Sequence, residues 1–210
     1  MKKLGLLFLC LLLLEPILAQ KKETTLPRKW AQVPSDKSIQ FISELGLASL
    51  AGLGANPSFN FQTGVYLPKA RFSILVGGNT PTDLNRLGRR SLFENGENLD
   101  IRWQGEVGIL ARYHFSKSSF SGFSASLRLG YEGFELSAPN NDQAETITTQ
   151  NLFLSPGLGY TLFVFGPKLY LSPYISYVWL LGNDAGVIDQ IPFELQPGFL
   201  NLQVALGIKL

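Results

Sequence analysis

The chain holds very little of the residues from which catalytic and metal sites are usually built, with one cysteine, one histidine and one methionine in 210 residues. A single cysteine cannot form a disulfide within the chain. One histidine and one cysteine are also too few for a zinc site with the usual ligands. The composition therefore excludes a disulfide-stapled scaffold and a cysteine–histidine metal centre, and we expect no metal and no cofactor.

Charge is scarce as well, at 16% of the residues against roughly 25% in an average soluble domain. The 18 basic and 16 acidic residues leave a formal net charge of +2, which is too weak a field to favour a nucleic-acid partner. Glycine and aromatic residues are abundant, with 21 glycines and 12% aromatics. The length suits a single domain.

The first 19 residues have the anatomy of a cleavable secretory signal. A lysine pair opens the chain, eleven mainly apolar residues run from Leu4 to Leu14, Pro16 interrupts that run, and Ala19 precedes the predicted cleavage point. Eleven residues are too few to cross about 30 Å of hydrocarbon as a helix. We therefore expect residues 1–19 to be an export signal and not a permanent anchor.

From residue 39 onward, apolar residues recur at every second position, which is the period of a β-strand and not of a helix. Residues 20–38 are by contrast polar and aperiodic, and we expect them to form a flexible periplasmic segment ahead of a domain at 39–210. The alternation predicts eight strands, over residues 39–51, 59–67, 71–77, 101–115, 123–132, 151–164, 169–179 and 199–210.

The connections between these strands alternate in length, which is the layout of an outer-membrane β-barrel. We predict an all-β fold, an eight-stranded antiparallel up-and-down transmembrane β-barrel with both termini on the periplasmic side. Pro156 and Pro173 fall inside predicted strands, where a missing N–H donor favours a bulge or a local break. The predicted short turns lie at 68–69, 116–120 and 166–167, and the longer loops at 79–99, 138–148 and 182–198, with a shorter loop at 52–58.

One face of the predicted strands carries eight charged residues, whereas the opposite face is nearly free of charge. Contact with hydrocarbon requires the uncharged face to point outward, so we expect the charged face to line the lumen. An eight-stranded barrel leaves an interior just wide enough for side chains, and ions buried there must pair. The predicted lumenal charge network consists of Glu44, Arg71, Arg102, Glu106, Arg112, Arg128, Glu132 and Lys209.

The signal sequence, the eight alternating segments and the closing run Phe199 to Leu210 resemble the small eight-stranded barrels of Gram-negative outer membranes. That group includes the transmembrane domain of outer membrane protein A and the porin-like outer membrane protein beta-barrel family. The resemblance covers residues 39–210. It implies a location in the cell outer membrane, contact with outer-membrane lipid and lipopolysaccharide, and the barrel-assembly machinery as a partner during biogenesis. Family members usually end in an aromatic residue, whereas Leu210 ends this chain.

Three functions are open to such a barrel. The first is a structural or surface-interaction role through extracellular loops, with a salt-bridged and largely closed lumen. The second is a narrow porin-like channel for small solutes, and the third is a lipid-modifying enzyme. In the loop at 79–99, Arg86, Arg89 and Arg90 are candidates for binding lipopolysaccharide phosphates or an extracellular protein partner. The loop at 182–198 is unusually apolar, and it either folds over the mouth, extends the strands or meets a partner.

His114 is the sole candidate for imidazole chemistry. Catalytic residues of outer-membrane enzymes cluster at the extracellular rim, whereas His114 is predicted beside a short turn on the periplasmic side. We expect no cysteine and no serine–base pair beside it. His114 is therefore interpreted as a structural residue, and the protein as a non-enzyme.

Overall fold

The computed structural model describes five stretches of the chain, all of them within the unit that spans residues 34–210. They are residues 38–47, 59–116, 120–139, 146–182 and 184–210. The predicted signal sequence and the predicted loop at 52–58 lie outside the described residues, as does all of the predicted periplasmic segment except Ser38.

The described residues form strands almost throughout, with one α-helix and one short 3-10 helix, Gly96–Asn98. In chain order the strands and the α-helix are β1 (Gln40–Leu47), β2 (Phe59–Leu67), β3 (Phe72–Asn79), β4 (Thr82–Asp83), α1 (Arg86–Leu92), β5 (Phe93–Glu94), β6 (Asp100–His114), β7 (Gly122–Ser137), β8 (Ile147–Phe165), β9 (Leu169–Leu180), β10 (Ala185–Ile188), β11 (Ile191–Leu195) and β12 (Gly198–Lys209).

Eight of these strands close into an antiparallel barrel in the order β1, β2, β3, β6, β7, β8, β9 and β12. The pairing of β3 with β6 bridges the long connection between them, and the pairing of β1 with β12 closes the ring. The predicted eight-stranded, up-and-down barrel is confirmed. β10 and β11 form a separate small sheet with β5.

Side chains of the barrel strands alternate between a buried inner face and an apolar outer face. On β7, Ser124 and Arg128 are buried, whereas Leu127 and Leu129 are 47% and 48% exposed. A soluble barrel buries its apolar face and exposes its polar one. The inverted arrangement is the pattern of a barrel whose outer surface meets hydrocarbon.

The two rims of the barrel differ. At the short-turn rim, residues 68–71 and 166–168 connect neighbouring strands, β6 ends and β7 begins, and β1 begins and β12 ends. At the opposite end, the long-loop rim, the connections 80–99 and 181–197 carry further folded elements.

These two long connections fold into a cap, defined here as residues 82–99 and 184–197. The Asn85 side chain accepts hydrogen bonds from the backbone N–H groups of Leu87 and Gly88, which starts α1. Apolar side chains of the cap pack against inward-facing residues of the barrel and close this end of the lumen. The buried cluster consists of Leu84, Leu92, Phe93, Leu99, Ile101, Phe134, Leu136, Ala138, Phe153, Val178, Leu180, Ile188, Phe193 and Leu195.

Within the described residues, none of the helices has the length and hydropathy needed to span a membrane.

A β-bulge interrupts β6 between Trp103 and Gly105. Gly105 has a φ of +95°, a conformation that L side chains rarely adopt. The extra residue shifts the alternation of inward and outward side chains by one position. On the N-terminal side of the bulge, Ile101 is therefore buried and Arg102 is exposed. The prediction that Arg102 lines the lumen was therefore wrong. Arg102 instead pairs in register with Asp83 of β4.

β8 and β9 run without a break through Pro156 and Pro173. The pairing between the two strands is interrupted at both prolines, but its register is unchanged on either side. The register shift of this pair lies instead between Phe163 and Phe165, next to the turn. The missing donors are therefore accommodated locally, without a bulge at either proline.

Candidate functional site

The lumen contains an ion pair that crosses the barrel. Arg112 on β6 donates from Nη1 to Glu44 Oε1 on β1 over 2.7 Å, and from Nη2 to Glu44 Oε2 over 3.1 Å. Gln62 on β2 donates to Oε2 over 2.9 Å, and the Tyr170 hydroxyl on β9 donates to Oε1 over 3.0 Å. All four side chains are buried. Each oxygen of the Glu44 carboxylate thus accepts two hydrogen bonds, and together these bonds tie four strands to one point.

A second group of ions, the central chamber, is formed by Glu106, Arg128, Glu132 and Asn151. Arg128 Nη1 lies 2.5 Å from Glu106 Oε1. Glu132 lies directly opposite Glu106 in the β6–β7 register, and Asn151 lies directly opposite Glu132 on β8. Arg128 thus forms an ion pair with one of two carboxylates that face each other inside the barrel.

In the central chamber, both amide atoms of Asn151 are buried without a hydrogen-bond partner in the described part of the chain. Arg128 and Glu132 have further side-chain partners there, the Tyr174 hydroxyl and the Trp103 indole. Buried polar groups without protein partners are usually hydrogen-bonded to ordered water. The central chamber can therefore hold water between the Glu44–Arg112 ion pair and the cap.

An aromatic plug closes the lumen toward the short-turn rim. The Phe120 ring, which is 1% exposed, meets Tyr66, His114 and Tyr170 at centroid distances of 4.8, 4.6 and 4.9 Å. The aliphatic side chains of Ile42 on β1, Leu75 on β3 and Leu110 on β6 complete this cluster. Both ends of the lumen are therefore filled by apolar side chains.

A serine lies beside the histidine, contrary to the sequence expectation. Ser73 Oγ on β3 and His114 Nε2 on β6 are 3.1 Å apart, and both residues are 0% exposed. Residues 41 positions apart meet because β3 and β6 are neighbours in the barrel. His114 also makes a hydrogen bond with the backbone of Phe120. A catalytic serine–histidine pair needs access for substrate, which two fully buried side chains do not have.

Six of the eight predicted lumenal ions lie inside the barrel. Among them, the Lys209 ammonium lies 5.2 Å from the centroid of the Phe163 ring. Arg71, like Arg102, lies outside the lumen. It lies in the β2–β3 turn with a φ of +54°, and its guanidinium lies over the outward-facing Tyr113 ring, 5.2 Å from the centroid. The prediction for Arg71 was wrong because the turn takes this residue out of the alternating part of the strand. The six inside are Glu44, Glu106, Arg112, Arg128, Glu132 and Lys209.

The three arginines predicted to bind phosphate all lie on α1. Arg89 forms an ion pair of 2.8 Å with Asp100 and also donates to the Leu99 carbonyl. Arg86 lies 3.8 Å from Glu97. Arg90 is exposed. Two of the three positive charges are thus opposed by nearby carboxylates.

No protein-family model and no curated protein matches the chain. It is similar to a solved major outer membrane protein from Thermus thermophilus, with a TM-score of 0.52 at 9% identity over 82% of this chain and 100% of that one. OprG from Pseudomonas aeruginosa gives a TM-score of 0.47 at 12% identity, over 82% and 94% of the two chains. Ail of Yersinia pestis gives 0.43 at 11% identity, over 82% and 95%. The likeness to the Thermus protein, which has the highest TM-score of these three, shows that the chain has the fold of an outer-membrane β-barrel protein.

Proposed function

We propose that the protein is an integral β-barrel of the outer membrane with a closed lumen, and that it acts as a structural or surface-interaction protein through its cap. One observation carries the proposal. The lumen is filled at both ends by apolar side chains and is crossed between them by the Glu44–Arg112 ion pair. A barrel filled in this way is suited to holding the cap at the membrane surface and not to conducting solutes.

Two observations support a location in the outer membrane. The outer face of the barrel is apolar, with side chains such as Val107, Ile109 and Leu158 more than half exposed, and such a surface is stable only against lipid or detergent. The sequence also begins with the features of a secretory signal. Because the fold is that of outer-membrane barrels, the cap is expected on the cell surface.

The cap offers a defined surface to a partner. It is held by a buried apolar cluster and by the pairing of β5 with β11, so it presents a fixed shape. An open groove of about 620 Å³ lies on it. The groove is lined by amide, carboxylate and proline side chains that include Asn95, Glu97, Asn98, Gln190 and Pro192.

A narrow channel is the second candidate function, and the central chamber favours it. Water bound between Arg128, Glu132 and Asn151 would form part of a polar path, provided that the Phe120 plug and the cap both moved. A lipid-modifying enzyme receives no comparable support, because Ser73 and His114 are fully buried.

Tagged variants test the location and the orientation together. An epitope inserted at the Asp189–Gln190 turn of the cap should be accessible to antibody on intact cells, and one inserted at Gly166–Pro167 should not. The full chain should fractionate with the outer membrane and migrate differently in unheated and boiled gel samples. Recovery in the soluble fraction, or surface exposure of the Gly166–Pro167 tag alone, would contradict the proposal.

A further inference from the structure

The two rims of the barrel carry opposite charge. Among the described residues, the long-loop rim holds eight acidic and four basic side chains, whereas the short-turn rim holds three basic side chains outside the lumen, beside the buried Lys209, and no acidic one. The acidic residues are Asp83, Glu94, Glu97, Asp100, Glu135, Asp184, Asp189 and Glu194, and the basic ones beside them are Arg86, Arg89, Arg90 and Arg102. The basic residues of the short-turn rim are Lys69, Arg71 and Lys168.

Aromatic rings place the short-turn cations at a defined depth. Tyr113 and Phe115 lie on the outer face with ring centroids 5.6 Å apart, and Phe123 and Tyr160 form a second pair at 4.9 Å. Outward-facing rings at the end of a barrel lie at the level of the lipid headgroups. The Arg71 guanidinium is 5.2 Å from the Tyr113 ring centroid, and it therefore lies at headgroup depth.

The charges of the short-turn rim are available to a ligand. In the described part of the chain, no carboxylate forms an ion pair with Lys69, Arg71 or Lys168. Lys69 and Lys168 are exposed in the tight turns at 68–71 and 166–168. Three cations without a counter-ion at headgroup depth are complementary to lipid phosphate.

We propose that the short-turn rim binds the headgroups of anionic phospholipids, with Lys69, Arg71 and Lys168 as the contacts. This inference rests on the proposed function, since it requires the barrel to lie in a bilayer. The acidic long-loop rim repels the same headgroups. The two rims thus favour one orientation of the barrel between a leaflet rich in anionic phospholipid and the opposite leaflet.

Lipid selectivity of the folded barrel tests the proposal. The chain without its predicted signal sequence, residues 20–210, is refolded into phosphatidylcholine vesicles that contain a trace of spin-labelled phosphatidylglycerol or spin-labelled phosphatidylcholine. The motionally restricted fraction is then measured by electron spin resonance. We expect the phosphatidylglycerol label to associate about twofold more strongly than the phosphatidylcholine label at low salt, and the preference to shrink in high salt.

Matched variants locate the preference on one rim. The triple variant K69Q/R71Q/K168Q should lose it, and R86Q/R90Q/R102Q, which removes three cations from the other rim, should keep it. If the first triple variant does not refold, K69Q/K168Q retains the Arg71–Tyr113 contact and should lose most of the preference.

Equal association of both labels with the wild-type barrel would overturn the inference. So would a preference that survives in K69Q/R71Q/K168Q or in K69Q/K168Q, or one that is lost in R86Q/R90Q/R102Q. Failure of the wild-type chain to fold in any vesicle is a separate outcome. It would reject the proposed membrane function, and the inference with it.

Discussion

Glu44 and Arg112 face each other across the lumen and are joined by two parallel hydrogen bonds, at a point where neither side chain is more than 2% exposed. Removal of either charge would leave the other buried without a counter-ion. Gln62 and Tyr170 supply the remaining hydrogen bonds to the carboxylate. The pair is thus the central cross-link of the barrel interior.

The variant E44Q is expected to lower the free energy of unfolding by about 3–5 kcal/mol, because it leaves the Arg112 guanidinium buried without its counter-ion. Urea titration of the refolded barrel, followed by the gel-mobility shift, measures the change. E194Q, which neutralises an exposed carboxylate on β11, is the matched control and should change stability by less than about 0.5 kcal/mol. Equal stability of E44Q and E194Q would contradict the assignment.

The two carboxylates of the central chamber should respond differently to neutralisation. E106Q removes the partner of Arg128 and should destabilise the barrel by about 3 kcal/mol or more. E132Q should lower the free energy of unfolding by less, or even raise it, because it removes a like charge directly opposite Glu106 and leaves Arg128 paired. The same urea titration compares the two variants. A larger loss in E132Q than in E106Q would show that Glu132 is the main counter-ion.

The bulge in β6 can be tested at Gly105. G105A forces a Cβ into a backbone with a φ of +95° and into contact with the Asn79 carbonyl, so it should lose about 1–3 kcal/mol. G133A alters the residue directly opposite in the β6–β7 register. The Cβ added there would lie 3.3 Å from the Thr149 carbonyl oxygen, and the loss of stability should be smaller. Equal midpoints of urea unfolding for the two variants would argue against the bulge.

Ser73 should be chemically inert in the folded barrel, because both it and His114 are fully buried. A fluorophosphonate probe, which reacts with activated serines, is expected to leave the refolded protein unlabelled. The variant S73A serves as the reference for background labelling. Labelling that is present in the wild type and absent in S73A would show that the pair is accessible and activated, and would revive the enzyme hypothesis.

Period-two patterning was sufficient to predict the barrel, because each strand has one face against lipid and one against the lumen. The last strand shows why the signal is strong, since Gln203 and Ala205 are buried while Leu200 and Ile208 are 45% and 39% exposed. Strand number, order and the alternation of short and long connections all follow from that pattern.

The side-chain faces near the bulge could not be predicted in the same way. One extra residue next to Gly105 reverses the assignments on the part of the strand that precedes it, so Arg102 was placed in the lumen and Ile101 outside. A glycine between alternating segments was the available signal. Several other glycines on the same strands lie in regular backbone, so glycine alone did not identify the position of the bulge.

The cap and the Ser73–His114 pair depend on contacts that local sequence does not encode. β4 and β5 have two residues each, which is too short for any period to be recognised. Their existence depends on pairing with β6 and β11. The apolar residues of the loop at 182–198 were the one visible signal, and Ile188, Phe193 and Leu195 indeed pack over the mouth of the barrel.

The closed lumen is the central claim, and single-channel conductance of the chain without its predicted signal sequence, in a planar lipid bilayer, tests it most directly. Folding is first established by the mobility shift between unheated and boiled samples. A barrel filled by the Phe120 plug, the Glu44–Arg112 ion pair and the cap is expected to give no discrete current steps. Discrete steps whose size changes in E106Q would contradict the closed lumen and establish a polar path through the central chamber.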